Sequence, residues 1–229
     1  MKPVEPMKIT QIAIYGAGGF AREIAWLVEA CNEGHKKFEV VGYIDDNPEK
    51  EGKIINGFAV WNLKTAQEVF PHAKIVMGVG SPRTRQALRE KAALAGYAFA
   101  TVIHPRVEMS PWIKIGEGTV ICAGSILTTN ITLGQQVQIN LDCTIGHDVT
   151  LEDFATLAPG VHVSGWVHLG KRVYVGTGAV IINGTEEAPL KIGDDAIIGA
   201  GACVIESVAP GLTVMGVPAK PVDMNTNRS

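Results

Sequence analysis

The sequence predicts an α/β unit followed by a parallel β-helix, and two observations carry that expectation. Between Ile103 and Ile181 every sixth residue is aliphatic, running Ile103, Met109, Ile115, Ile121, Leu127, Leu133, Ile139, Ile145, Leu151, Leu157, Val163, Leu169, Val175 and Ile181. Ahead of these repeats the pattern changes, and short apolar runs alternate with helix-length segments.

A period of six is a multiple of the strand period and does not match the 3.6 of a helix. Each hexad is therefore a short extended segment plus a corner, with positions one and five turned inward. Position five is restricted accordingly, as in Val137, Cys143, Val149, Ala155, Val161, Val167, Val173 and Ala179. Position two is often glycine or small and polar (Gly116, Gly134, Asn140, Gly146, Ser164, Gly170, Gly176), as expected of a tight corner. With three hexads to a turn, residues eighteen apart stack about 4.8 Å apart along a prism. The register breaks after Ile181 at "INGTEEAPLK", which reads as an outward loop, and resumes at Ile192, Ile198 and Val204. The expected domains are 1–102 and 103–229.

In the first unit "QIAIYG" reads as a buried strand and "GAGGFAREIAWLVEAC" as a glycine-rich turn entering a helix. "FEVVGYIDD" reads as a second strand ending in two carboxylates, and "KIVMGVG" as a further strand. Ser81 as N-cap and Pro82 at the first helical position open the last helix. Alternating strands and helices imply a small Rossmann-like parallel sheet, open at the carboxyl ends of its strands. Gly16, Gly18 and Ala21 fit G-x-G-x-x-G/A, with Asp45 or Asp46 following somewhat later than in a dinucleotide fingerprint. The unit is too short for both mononucleotide halves. Backbone N–H groups at a helix amino end suit a dinucleotide or a nucleotide-activated sugar alike, and a purely structural turn is the third reading.

Composition fits a soluble cytoplasmic enzyme. A net charge of −3 over 229 residues gives no reason to expect nucleic acid or a membrane surface as partner. Cys31, Cys122, Cys143 and Cys203 show no paired spacing and read as free thiols. No histidine or cysteine cluster suggests a metal site. The amino terminus has no signal-like apolar stretch, and Met7 is an alternative start, since the ordered pattern begins after it.

Taken together, "YGAGGFAREI", the "DD" after the second strand, "INLDCTIGHD" within the hexads and "GVPAK" near the end resemble the hexapeptide-repeat sugar O-/N-acyltransferases. That group includes the sialic acid O-acetyltransferases and the bacillosamine-pathway N-acetyltransferases, and within it the chain looks most like the perosamine N-acetyltransferases. The resemblance implies a left-handed β-helix, acetyl-CoA as acyl donor, a nucleotide-linked amino sugar as acceptor, and a homotrimer with the donor lying between prisms. It places a general base at His147, a supporting carboxylate at Asp148, an oxyanion-binding amide at Gly165 and a further active-site position at Asn140. It implies substrate contacts at Gly16, Gly18, Gly19, Phe20, Ala21, Asp45, Asp46, Ser81 and Arg85, and donor contacts at Gly165, Gly178, Ala179 and Lys220.

The chemistry agrees with these roles: a histidine takes a proton near neutral pH without a large pKa shift, and one oxyanion donor contributes about 3 kcal/mol. By the eighteen-residue stack, Gly165 lies one coil above His147. Asn140 lies on the preceding corner, facing away from His147 within one subunit and available to a neighbour's site. Cys143, at an inward position, is a poor nucleophile, so direct transfer is expected. Two positions depart from many relatives, which carry histidines where this chain has Phe20 and Thr156. An O-acetyltransferase, or a dinucleotide-binding protein with a noncatalytic β-helix, would be compatible with the same motifs.

Overall fold

In the computed structural model, which describes residues 9–35 and 37–222, the two hydrophobic periods become two packed units. Met1 and Met7 lie outside the described residues. The first unit is a five-stranded sheet of order β3-β4-β2-β1-β5, built from β1 (Thr10–Tyr15), β2 (Phe38–Ile44), β3 (Ile54–Ile55), β4 (Phe58–Trp61) and β5 (Lys74–Met77). Helices α1 (Gly19–Ala30), α2 (Leu63–Val69) and α3 (Pro82–Leu94) complete it. The central strand β1 pairs in parallel with β2 on one side and β5 on the other. Its apolar run, Ile12 to Tyr15, is buried on both faces, as expected of a parallel strand covered by helices.

The prism begins at Val102–Ile103 and has three faces. The first carries Val102–Ile103, Val120–Ile121, Gln138–Ile139, Thr156–Leu157, Tyr174–Val175, Ile197–Ile198 and Thr213–Met215, with Lys220–Pro221 added antiparallel. The second runs from Glu108–Met109 to Cys203–Val204, and the third from Ile113–Ile115 to Leu190–Ile192. Pairs such as Ile126↔Thr144 and Thr144↔His162 set the eighteen-residue stack. From Val167 onward the interval lengthens, with Val167 pairing to Leu190, because the loop after Ile181 bulges from one corner. The fold is a left-handed β-helix of hexapeptide repeats behind a small α/β domain. Apart from Met109, which is exposed, the aliphatic first positions and the inward fifth positions form one continuous core.

The corners work differently from the expectation. The left-handed backbone falls at position four of the hexad, at Gly118, Gly124, Asn130, Gln136, Asp142, Asp148, Phe154, Gly160, Trp166, Arg172 and Gly178. Position-two glycines are small because the next coil passes directly over them. A Cβ on Gly146, for instance, would lie 2.7 Å from the Gly165 nitrogen.

The three faces also differ in what they meet. Outward residues of the first face, Val102, Val120, Gln138 and Thr156, are buried under the α/β domain. Those of the third are Lys114, Thr132, Thr150, His168 and Lys191, a polar surface. The second face leaves Ile126 and Val180 exposed.

Candidate active site

The corner between the second and third faces brings His147 and Gly165 together. Strand pairing of Thr144 with His162 and Ile145 with Val163 carries their register into the turn. A Cβ added to Gly165 would lie 2.6 Å from His147 Cε1 and 2.7 Å from Nε2, so the imidazole occupies the space a side chain there would take. His147 Nδ1 is 2.8 Å from Asp148 Oδ2. This contact between sequence neighbours depends on the left-handed backbone of Asp148, φ 57°, which folds the carboxylate back toward the ring. Asn130 Nδ2, one coil below, donates to Asp148 Oδ1 at 3.2 Å. An Nδ1–H donated to Asp148 leaves the lone pair on Nε2, the nitrogen over Gly165.

The surroundings keep this corner open on one side and covered above. The His147 side chain is 55 % exposed. Trp166 packs edge-on against it, with ring centroids 6.2 Å apart. The Gly165 N–H donates to no acceptor among the described residues. The loop after Ile181 caps the corner, with Gly184 N donating to Gly165 O at 3.1 Å and Leu190 N to Trp166 O at 3.0 Å. Asn130 and Trp166 were not singled out from the sequence, although the stack that relates 147 to 165 also relates 130, 148 and 166.

Asn140, Gly178 and Ala179 lie on the corner between the first and second faces, across the full width of the second face from His147. Asn140 is nearly buried and donates from Nδ2 to Leu157 O at 2.8 Å. Gly178 has open space where a Cβ would be. Ala179 is sealed inside the prism, so its side chain meets no ligand. The expected donor track past Gly165, Gly178 and Ala179 is thus not one corner of one protomer, because Gly165 follows a second-face strand and Gly178 a first-face strand. Lys220 pairs with Glu206 at 2.9 Å.

At the carboxyl edge of the α/β sheet, Gly18 and Gly19 are exposed where α1 begins. Gly16, at φ 115°, sits so near the next loop that a Cβ would lie 2.9 Å from Gly78 O. Ala21 packs against Gly78 and is fully buried, and Phe20 is half-buried against the domain core, so both shape the turn from beneath. Asp45 Oδ2 accepts from Ala17 N–H at 3.0 Å and from Lys50 Nζ at 2.8 Å, while Oδ1 accepts from Asn47 N–H at 3.0 Å. Burial pushes the Asp45 carboxyl up, but the Lys50 bond and the backbone donors outweigh it and hold it below the usual carboxylate range. Asp46 accepts from the Tyr15 hydroxyl at 3.0 Å and pairs with Lys91 at 2.8 Å. Asp45 therefore braces the glycine-rich turn, while Asp46 ties the end of β1 to Lys91 of α3. Ser81 makes no capping bond, and its Oγ accepts only from Thr84.

Arg85 departs from its expected role. It is fully buried, and its guanidinium donates to Gln136 O, Val79 O, Gly80 O, Gln138 Oε1, Phe154 O and Thr156 Oγ1. Every N–H direction is used, so no donor remains for a substrate. Arg85 instead rivets α3 and the loop after β5 to the first face of the prism. Burial lowers its pKa to about 9, which leaves it a cation at neutral pH. Thr156 belongs to the same seam, donating to Gly80 O. Cys143 is buried, and burial pushes its thiol up to about 11. Among the described residues there is no group of three or more His, Cys, Asp or Glu able to hold a metal, and no helix long and apolar enough to cross a membrane.

A β-helix corner bearing an imidazole, its carboxylate and a bare amide one coil above, behind a glycine-rich α/β domain, defines a hexapeptide-repeat acyltransferase. Residues 11–92 match the PglD N-terminal domain family. The chain is 33 % identical over 210 residues to GDP-perosamine N-acetyltransferase of Escherichia coli O157:H7, covering 90 % of this chain and 94 % of the relative. WeeI from Acinetobacter baumannii AYE superposes with a TM-score of 0.85 at 33 % identity, over 93 % of this chain and 100 % of that one. A histidine-to-asparagine mutant of perosamine N-acetyltransferase from Caulobacter crescentus, in complex with CoA and GDP-perosamine, superposes with a TM-score of 0.83 at 28 % identity, over 95 % and 99 %. The chain belongs to this family of hexapeptide-repeat nucleotide-sugar N-acetyltransferases.

Proposed function

We propose that the chain moves the acetyl group of acetyl-CoA onto the 4-amino group of a nucleotide-linked 4-amino-4,6-dideoxy sugar, GDP-perosamine. The observation that carries this reading is the packing of His147 Nε2 against the side-chain position of Gly165, a residue whose own N–H donates to no acceptor among the described residues. In the reaction Nε2 takes a proton as the amine attacks the thioester carbonyl, and the Gly165 N–H meets the oxyanion. The imidazolium, steadied by Asp148, then protonates the departing thiolate. The high thiol pKa of Cys143 argues against a covalent acyl-enzyme. The E. coli relative and the CoA and GDP-perosamine in the Caulobacter structure support the acceptor and donor classes. A five-stranded sheet with a single glycine-rich turn suits one nucleotide better than a dinucleotide.

The working form we infer is a homotrimer. Within one protomer His147 and Gly165 lie on one edge of the second face, and Asn140 and Gly178 on the other. A three-fold ring closed on that face sets each His147 edge against the next protomer's Asn140 edge, where the donor would run between prisms. Exposed Ile126 and Val180 on the same face support this packing. Four free thiols and an acetyl-CoA requirement favour the cytoplasm.

The test is acetyl transfer by the purified chain to GDP- and UDP-linked 4-amino sugars, followed by CoA release and product mass. GDP-perosamine is the expected substrate, and His147→Asn is expected to lower turnover about 10²- to 10⁴-fold. Transfer to a free sialic acid in preference to any amino sugar, or unchanged turnover in His147→Asn, would overturn the reading.

A further inference from the structure

Trp166 occupies position four of its hexad, the corner position that takes a left-handed backbone, at φ 57°. That conformation suits glycine, asparagine or aspartate and is unfavourable for a bulky aromatic. Elsewhere on the prism, non-glycine residues at this position use the turn to aim a side chain: Asn130 at Asp148, Asp148 at His147, and Arg172 at Asp195. Trp166 is aimed at His147, with ring centroids 6.2 Å apart and planes at 85°.

The backbone of Trp166 is committed to the same corner. Its N–H donates to His147 O at 3.1 Å, and its carbonyl accepts from Leu190 N–H at 3.0 Å, where the loop after Ile181 rejoins the prism. That loop closes so tightly that a Cβ on Gly184 would lie 2.5 Å from Trp166 O. The half-buried indole therefore stands on a backbone held from one side by His147 and from the other by Leu190.

We propose that Trp166 is a positioning residue for the transfer reaction, holding the plane of the His147 imidazole so that Nε2 stays at the side-chain position of Gly165. The proposal rests on the acetyl-transfer reading above and deepens it. His147 needs such a support because its side chain is 55 % exposed and Asp148 grips it at one atom, Nδ1, at 2.8 Å. One hydrogen bond selects the tautomer but leaves the ring free to pivot about that bond. Gly165 backs the Cε1–Nε2 edge, where a Cβ would stand 2.6 and 2.7 Å from those atoms. The indole blocks the swing across the ring plane, and the T-shaped arrangement adds attraction between the two rings. Contacts from three directions fix the plane, and the imidazole keeps a single near-attack orientation. An unfavourable φ is maintained at this corner because the neighbouring coil and loop hold the indole against the base.

The test separates the ring from the turn. Trp166→Asn removes the indole and relaxes the left-handed corner, whereas Trp166→Phe keeps an aromatic edge and the unfavourable φ. The full-length variants are compared by steady-state acetyl transfer and by thermal melts. Trp166→Asn is expected to lose about tenfold or more in kcat, toward the roughly 10²-fold that a displacement of about 1 Å costs. KM for both substrates is expected to stay within about twofold of wild type. Trp166→Asn is expected to melt at or above Trp166→Phe, while Trp166→Phe is expected to turn over faster. A merely structural residue would rank the variants alike in both measurements. That common ranking, an unchanged kcat in Trp166→Asn, or a loss carried by KM would overturn the proposal.

Nitrogen NMR of the chain isotope-labelled in its histidines reads the ring directly, without substrates, at about pH 8.5, above the ordinary histidine range. The His147→Asn spectrum assigns the signal. Wild type is expected to show His147 as the Nδ1–H tautomer alone, and Trp166→Asn a mixture of tautomers. The same single tautomer in both would overturn the proposal. This readout needs no acetyl transfer, so it decides the role of Trp166 even if no amino sugar is acetylated, whereas failure of the acetyl-transfer reading shows as inactivity of wild type.

Discussion

His147 lies over Gly165 so closely that a single methyl at residue 165 would stand 2.7 Å from the catalytic candidate Nε2. Gly165→Ala keeps the backbone N–H and needs no unusual φ, so its effect falls on the imidazole alone. Displacement of about 1 Å is enough to cost roughly 10²-fold in turnover. We expect kcat to fall by that order, with KM for the amino sugar nearly unchanged and the melting temperature close to wild type, since a flexible side chain gives way. Unchanged kcat would show that the imidazole does not act from this position.

Asp148 offers a finer test of the same corner. Its φ of 57° is tolerated by asparagine but strained for alanine. Asp148→Asn therefore retains the turn while allowing an amide N–H to face Nδ1 and invert the tautomer. The expected result is a fall in kcat of about tenfold or more without loss of stability. Asp148→Ala is expected to lose both activity and thermal stability. Wild-type kcat in Asp148→Asn, with loss confined to the thermally destabilised Asp148→Ala, would show that Asp148 is a turn residue only.

Arg85 is a buried cation with no carboxylate partner among the described residues, solvated by carbonyl, amide and hydroxyl oxygens from both domains. Arg85→Met would leave several of these acceptors unpaired in a sealed seam, at a cost of about 3 kcal/mol or more. For a chain of this size that corresponds to a fall of roughly 6–12 °C in Tm. Limited proteolysis is expected to cut first between the α/β domain and the prism. A Tm within 2 °C of wild type (about 0.5–1 kcal/mol) would refute the rivet.

These contrasts show what was legible in the sequence. The sixfold aliphatic period reported the prism core directly, because burial acts on residue type at fixed positions, and the eighteen-residue stack placed Gly165 over His147. Position two does not form the tight corner its composition suggests. A glycine is enriched both where φ is positive and where another backbone passes close by, and composition alone does not separate these causes; Gly146 belongs to the second. Arg85 looked like a ligand-facing cation because no local pattern tells which turn of α3 is pressed against the prism. Arg83, two positions earlier, carries the same residue type and is exposed. The opposite placement of Asn140 and His147, by contrast, followed from counting hexads.

Asp45 predicts an acid dependence of the glycine-rich turn. Its carboxyl pKa in the folded chain is held below the unfolded value by Lys50 and the Asn47 and Ala17 amides, against the opposing effect of burial. The folded state thus holds fewer protons than the unfolded state in that window, so stability is present above about pH 4 and is lost as pH falls through the folded pKa. Melting curves from pH 6 to pH 2.5 are expected to show a steeper acid loss for wild type than for Asp45→Asn. The variant is also expected to bind nucleotide more weakly at neutral pH, because Ala17 N–H loses its carboxylate. Parallel acid profiles would contradict this account.

The division of the site between two edges of the second face leads to a complementation experiment. His147→Ala removes the base from one edge. Asn140→Ala combined with Gly18→Val damages the opposite edge and the nucleotide turn that serves it. If a site is completed by adjacent protomers, each variant trimer is inactive, yet a mixed trimer contains sites that take His147 from one subunit and the intact opposite edge from the next. Denaturing and refolding the two variants together in equal amounts is then expected to restore roughly one quarter of wild-type sites, as random assembly in a closed three-fold ring requires. Sites contained within single protomers would give no recovery, because no chain in the mixture carries both halves intact. Light scattering on the refolded mixture supplies the control, since failure to recover activity counts against shared sites only when the mass is that of three chains.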